Sequence, residues 1–146
     1  MDTEGLLRSL NARNVRYVVI GATAFPVHGY ARATLDVDIF IEPTAANAAR
    51  ARAALLDFGY DLSDVSEEDL LRRKILIRQY LLETDIHPFV KGVTFEEVWE
   101  NRVAERLGET PAAFASLDDL IRMKEAAGRP KDAEDLRILR EIKQRR

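Results

Sequence analysis

From Leu35 to Ile41 the chain reads Leu-Asp-Val-Asp-Ile-Phe-Ile, and this stretch restricts the fold more than any other. Its β-branched and aromatic content favours an extended strand. Side chains alternate across a strand, so Asp36, Asp38 and Phe40 share one face while Val37, Ile39 and Ile41 share the other. Two acids on an otherwise apolar strand are costly to bury unless something cationic neutralises them. A divalent ion carrying a phosphate would do so. The alternative is a strand end bearing two solvated carboxylates.

The 146 residues predict one domain, 1–146, with a real core. Hydrophobic residues make up 47% and charged residues 32%, as expected of a soluble globular chain. A net charge of −3 gives no global attraction to nucleic acid or anionic lipid, so any polyanion must meet a local basic patch. From Ile121 onward Lys and Arg outnumber Asp and Glu nine to five, which is also how a solvated helix face reads. The absence of cysteine excludes disulfides and thiolate chemistry. No signal-like or membrane-spanning apolar run is present, which makes the cytoplasm the expected location and a membrane an unexpected partner.

Periodicity and punctuation predict the elements. Leu6, Leu7 and Leu10 have helical spacing within Asp2–Arg13. Tyr17–Ile20 is a short apolar strand ended by Gly21, and Thr23–Gly29 is one or two helical turns that tolerate Pro26. After the acidic strand, Thr44 caps a helix that runs to Phe58 and closes at Gly59. Asp61–Arg72 is a loop with a short acidic helix, and 75–77 and 81–89 are strands. Thr94 caps a short helix over Phe95–Asn101, and Arg102–Ala115 is ambiguous, with room for a small hairpin around Gly108. Ser116 opens a helix ending near Gly128, and Pro130 starts the last one, with Ala133, Leu136, Leu139 and Ile142 inward. The fold class is α/β or α+β: a small mixed sheet flanked by helices, with a C-terminal helical hairpin.

Three further places carry chemistry. Gly21 permits a tight turn and close approach of a ligand, the free N–H groups of the next turn favour phosphate, and Thr23 adds a hydroxyl; an ordinary strand-to-helix turn reads the same way. In Thr84-Asp85-Ile86-His87, Asp85 and His87 share a face. If that strand pairs beside Asp36–Asp38, three carboxylates converge, able to hold one or two Mg²⁺ ions, with Asp85 as general base or ligand. His28 reads as a packing or hydrogen-bonding residue, and His87 as a substrate contact secondary to the acids; two histidines so far apart make no zinc site. Lys124 falls on or beside the apolar stripe of Leu117, Leu120, Ile121 and Ala127, where it must snorkel, pair with an acid or meet an anion. Asp132 has the same oddity, and a Lys124–Asp132 or Lys124–Asp135 ion pair would close the helical hairpin as well as a ligand would.

Taken together these residues resemble the DNA polymerase β-type nucleotidyltransferase superfamily, whose pattern is a glycine turn, an Asp-x-Asp about a dozen residues on, and a third acid on a later strand. Gly21-Ala22, Asp36-x-Asp38 and Asp85 match it. The stretch Ile20-Gly21-Ala22-Thr23-Ala24, His28-Gly29, Arg32-x-Thr34-x-Asp36-x-Asp38, with Asp119-Leu120-x-x-x-Lys124 and Arg129-Pro130-Lys131-Asp132-x-x-Asp135-Leu136, is similar to the minimal bacterial branch that includes AbiEii-type toxin nucleotidyltransferases. The resemblance spans Tyr17 to Leu136. It implies that Gly21, Ala22 and Thr23 cradle nucleotide phosphates, that Asp36, Asp38 and Asp85 are catalytic and bind Mg²⁺ or Mn²⁺, that Lys124 reaches the triphosphate, and that Asp132 positions it or the acceptor. The implied activity is transfer of a nucleoside monophosphate from an NTP, ATP among them, to a hydroxyl on tRNA, a protein or a small molecule, in a toxin–antitoxin or defence setting. The family often carries Ser or Gly where Ala22 stands, so a hydroxyl contact to phosphate is missing. The competing expectation is a nucleotidyltransferase-like binding module or antitoxin without catalysis.

Overall fold

A computed structural model describes all 146 residues. Helix α1 (Thr3–Ala12) is capped by the Asp2 carboxylate, which accepts from Gly5 N–H, and buries Leu6, Leu7 and Leu10. Strand β1 (Tyr17–Ile20) runs without a break into a 3-10 helix over Gly21–His28, two residues earlier than the spacing suggests. Strand β2 (Asp36–Ile41) is followed by α2 (Ala45–Phe58), with Thr44 and Gly59 as its caps. The acidic segment condenses to one turn, α3 (Asp69–Arg72). Strands β3 (Ile75–Ile77) and β4 (Glu83–His87) form a hairpin, and α4 (Phe95–Glu100) opens on a full capping box between Thr94 and Glu97.

The ambiguous Arg102–Ala115 segment is a hairpin of β5 (Val103–Leu107) and β6 (Thr110–Phe114) turning at Gly108. Helix α5 (Leu117–Ala127) ends at Gly128, and α6 (Ala133–Gln144) follows a 3-10 turn over Pro130–Asp132. Strand β4 is shorter than the 81–89 expected. Leu81 and Phe89 lie two residues beyond its ends and are 78% and 64% exposed, so hydrophobicity there does not mark sheet. No helix is long and apolar enough to cross a membrane.

The six strands make one mixed sheet in the order β3-β4-β2-β1-β6-β5. Strand β1 is antiparallel to β2, β2 is parallel to β4, and β1 is parallel to β6. The parallel β2–β4 pair requires a crossover, which the long α2 supplies. Val37, Ile39 and Ile41 are fully buried together with Val19 and Ile86. Burying each such side chain contributes about 1.5–3 kcal/mol, which fixes the register of β2, because a one-residue slip would turn this face outward. Phe40, on the opposite face, packs edge-on against Phe95 at a centroid distance of 5.3 Å.

One buried polar residue has no counterpart in the sequence reading. Asn47, on α2, accepts from Arg16 N–H at 2.8 Å and donates to the carbonyls of Arg16 and Glu42 at 2.9 and 3.0 Å. It ties the entrance of β1 to the exit of β2. Asn47→Ala leaves the Arg16 N–H unpaired, at about 1–3 kcal/mol, and removes one bond of about 0.5–1.5 kcal/mol from each carbonyl, which keep the Glu42 and Thr44 N–H donors. Thr44→Ala removes only a cap, worth about 1 kcal/mol. Denaturant titration is therefore expected to show a loss for Asn47→Ala at least twice that for Thr44→Ala.

Candidate functional site

The strand register assembles the site. Asp38 on β2 lies directly beside Asp85 on β4, Asp36 beside Glu83, and Phe40 beside His87. Because the pairing is parallel and in register, all these side chains leave the sheet on one face, and Asp36, Asp38, Asp85 and His87 open into a cleft of about 550 Å³. Gly21, Ala22, Asp36, Asp38, Asp85, His87, Lys124 and Asp132 line it. Thr23 does not. Its hydroxyl donates to the Asp36 carbonyl at 2.9 Å, which anchors the start of β2 rather than facing the cleft.

Gly21 is required twice over. Its φ of +69° is unfavourable for other residues, and a Cβ built on it would lie 2.5 Å from Asp38 Oδ2. The turn thus leaves room for the Asp38 carboxylate, whose other oxygen, Oδ1, lies 2.8 Å from His87 Nε2. One ligand atom each from Asp38, Asp85 and His87 lie within 4.8 Å of one another, a spacing that could hold a divalent ion. The histidine enters this group although the sequence ranks it below the acids. Asp36 stands outside it, at the exposed start of β2. There it faces Glu83, and a side-chain hydrogen bond with Asp36 pushes the Glu83 carboxyl above its ordinary value of 4.5.

Asp85 is mostly enclosed, with 13% of its side chain exposed. Arg78 Nη1 approaches its Oδ1 to 2.8 Å and Lys74 Nζ its Oδ2 to 3.8 Å. The Arg78 approach lies off the hydrogen-bond line, so Oδ1 is hidden from solvent without a directed donor. With Arg78 beside it, Asp85 joins Asp38 and His87 in a set of two carboxylates and an imidazole, donor types that suit a divalent cation. Lys74, Leu76 and Arg78 alternate along β3 and its end onto the cleft side. Their alternation is visible in the sequence, but nothing local says that this strand borders the acids.

The far wall is built by the C-terminal hairpin. Lys124 Nζ contacts Asp132 Oδ1 at 2.9 Å and Asp135 Oδ2 at 3.5 Å, and lies 5.6 Å from the centre of the Phe25 ring. Arg129 grips Asp132 through Nε at 2.6 Å. Tyr30 O–H donates to Asp135 at 2.7 Å, and Arg32 pairs with the same carboxylate. The ion pair that closes the hairpin is therefore present, and Lys124 still reaches the cleft. Lys131 lines the cleft without a carboxylate partner. His28 is buried, its Nε2 2.8 Å from the Ala115 carbonyl, and burial holds its imidazole below the ordinary 6.5. It is a packing residue, outside the cleft lining.

Burial alone would raise the Asp132 carboxyl, but hydrogen bonds from Arg129 and Lys124 prevail and hold it below 3.8. A depressed carboxylate contributes stability above its unfolded value and loses it as pH falls through the folded one. Lys124→Met is expected to cost about 1–3 kcal/mol at neutral pH. The difference from the parent should shrink below pH 3.8, as urea titrations across pH would report. Gly21→Ala is expected to displace Asp38, seen as shifted backbone amide resonances of β2 and β4, with the rest of the fold retained.

No curated protein matches the chain. A family model described as "Nucleotidyltransferase of unknown function (DUF6036)" matches residues 3–143. The match spans every strand of the sheet and both helices of the C-terminal hairpin. The chain belongs to this nucleotidyltransferase family.

Proposed function

We propose that the protein transfers a nucleoside monophosphate from an NTP to a hydroxyl acceptor, releasing pyrophosphate. The observation that carries this reading is the in-register placement of Asp38 beside Asp85 at the Gly21 turn. Asp38 and Asp85, with Asp36 at the mouth, would hold a divalent ion, Mg²⁺ or Mn²⁺. When bound, that ion supplies charge neutralisation along the triphosphate and polarises the phosphorus under attack.

The backbone of Gly21 and Ala22 and the side chains of Lys124 and Lys131 meet the phosphates, and Asp132 orients Lys124. Asp85 accepts the proton of the attacking hydroxyl. The acceptor oxygen bonds to the α-phosphorus while the bond to the bridging oxygen of the β-phosphate breaks, and pyrophosphate leaves with that electron pair. The AbiEii-type likeness extends the proposal to a toxin–antitoxin or defence role in the cytoplasm, with tRNA, a protein or a small hydroxylated compound as acceptor.

The contacts of Arg78 and Lys74 with Asp85 favour a second reading, in which the cleft is already neutralised by its own cations and serves as a binding module. Thermal unfolding with each NTP, with and without Mg²⁺, tests whether nucleotide binds. At a hundredfold excess over Kd, binding adds about 2.7 kcal/mol, or about 5–10 °C for a chain of this size. Incubation of α-labelled NTPs with total RNA and protein then tests transfer. The parent is expected to label an acceptor and Asp85→Asn to lose about 100-fold or more. Protection without labelling selects the binding module, and label that survives both Asp38→Asn and Asp85→Asn refutes the mechanism.

A further inference from the structure

Resting on the reading of the cleft as a cation site, we infer that His87 is a direct nitrogen ligand of that ion, and that the centre thereby selects a first-row transition ion such as Mn²⁺ over Mg²⁺. The three converging groups are two carboxylates and one imidazole, not three carboxylates. Magnesium is met by carboxylate, carbonyl and water oxygens, whereas an imidazole donor shifts a site toward transition metals.

The placement of His87 follows from the sheet. It leaves β4 on the same face as Asp85, two residues on, and pairs across to the buried Phe40. Its side chain is only 13% exposed, and Nε2 is the nitrogen turned to the carboxylates, 2.8 Å from Asp38 Oδ1. A carboxylate oxygen of Asp85 lies in the same group and completes a mixed oxygen and nitrogen set.

The test is Mn²⁺ titration of the parent, His87→Gln and His87→Asp, followed by electron paramagnetic resonance with Mg²⁺ as competitor, with and without a non-hydrolysable NTP analogue. Pulsed measurement on protein carrying ¹⁵N-labelled histidine reads directly bonded nitrogen. The only other histidine, His28, is buried against the Ala115 carbonyl, so the signal has one source. The parent is expected to show a bonded histidine nitrogen that vanishes in both variants. In His87→Gln, Mn²⁺ affinity is expected to fall about 10–100-fold, the scale of losses around metal sites. In His87→Asp the Mn²⁺ to Mg²⁺ affinity ratio is expected to fall about tenfold or more, because the donor set becomes all oxygen. Bound Mn²⁺ without histidine nitrogen, or an unchanged ratio in His87→Asp, overturns this inference and leaves the nucleotidyltransferase reading standing. Failure of the parent to bind either ion under both conditions overturns the two together.

Discussion

The parallel pairing of β2 with β4 is the constraint on which the rest depends. It places Asp38 against Asp85 and, one step further, Phe40 against His87. Burial of Val37, Ile39 and Ile41 on the reverse face fixes that register. The carboxylates are thus held by an apolar layer they do not touch. The free energy that keeps negative charges together comes from the hydrophobic face behind them, and the charges need contribute nothing to the stability of the fold.

The cleft shows how such a crowd of acids is tolerated. Each of its more enclosed carboxylates has a cation nearby: Arg78 and Lys74 at Asp85, Lys124 and Arg129 at Asp132, Arg32 at Asp135. The exposed Asp36–Glu83 pair has less compensation, and there a hydrogen bond between the two carboxyls, with their repulsion second, raises the Glu83 carboxyl. Arg78 is also within 3.8 Å of Glu83, so one guanidinium serves both the enclosed and the open acid.

Most of the architecture was legible in the chain. The caps Thr44, Thr94 and Ser116 and the glycines 59 and 128 delimit their helices as capping chemistry demands. Local signals failed where tertiary context decides. Leu81 and Phe89 look like strand yet project into solvent, and the β5–β6 hairpin, with three alanines and a proline in its strands, has little intrinsic strand character. In the candidate site, face-sharing of Asp36 with Asp38 and of Asp85 with His87 followed from alternation alone. That Lys74, Leu76 and Arg78 border the same cleft did not, because strand order is a property of the whole sheet. Tyr30 and Asn47 were missed for a related reason: each matters through a partner distant in sequence, Asp135 for one and the Arg16 backbone for the other.

The crossover that makes the β2–β4 pair parallel has a kinetic consequence. Asp38 and His87 touch although 49 residues separate them, while β3 and β4 meet through a short local hairpin. Closing the longer segment costs chain entropy before any contact across it is gained. The β3–β4 hairpin and the Arg78 it carries beside Asp85 are joined through local chain alone. Asp85 therefore has its cation from a neighbour close in sequence, independently of the long crossover that brings Asp38 to it.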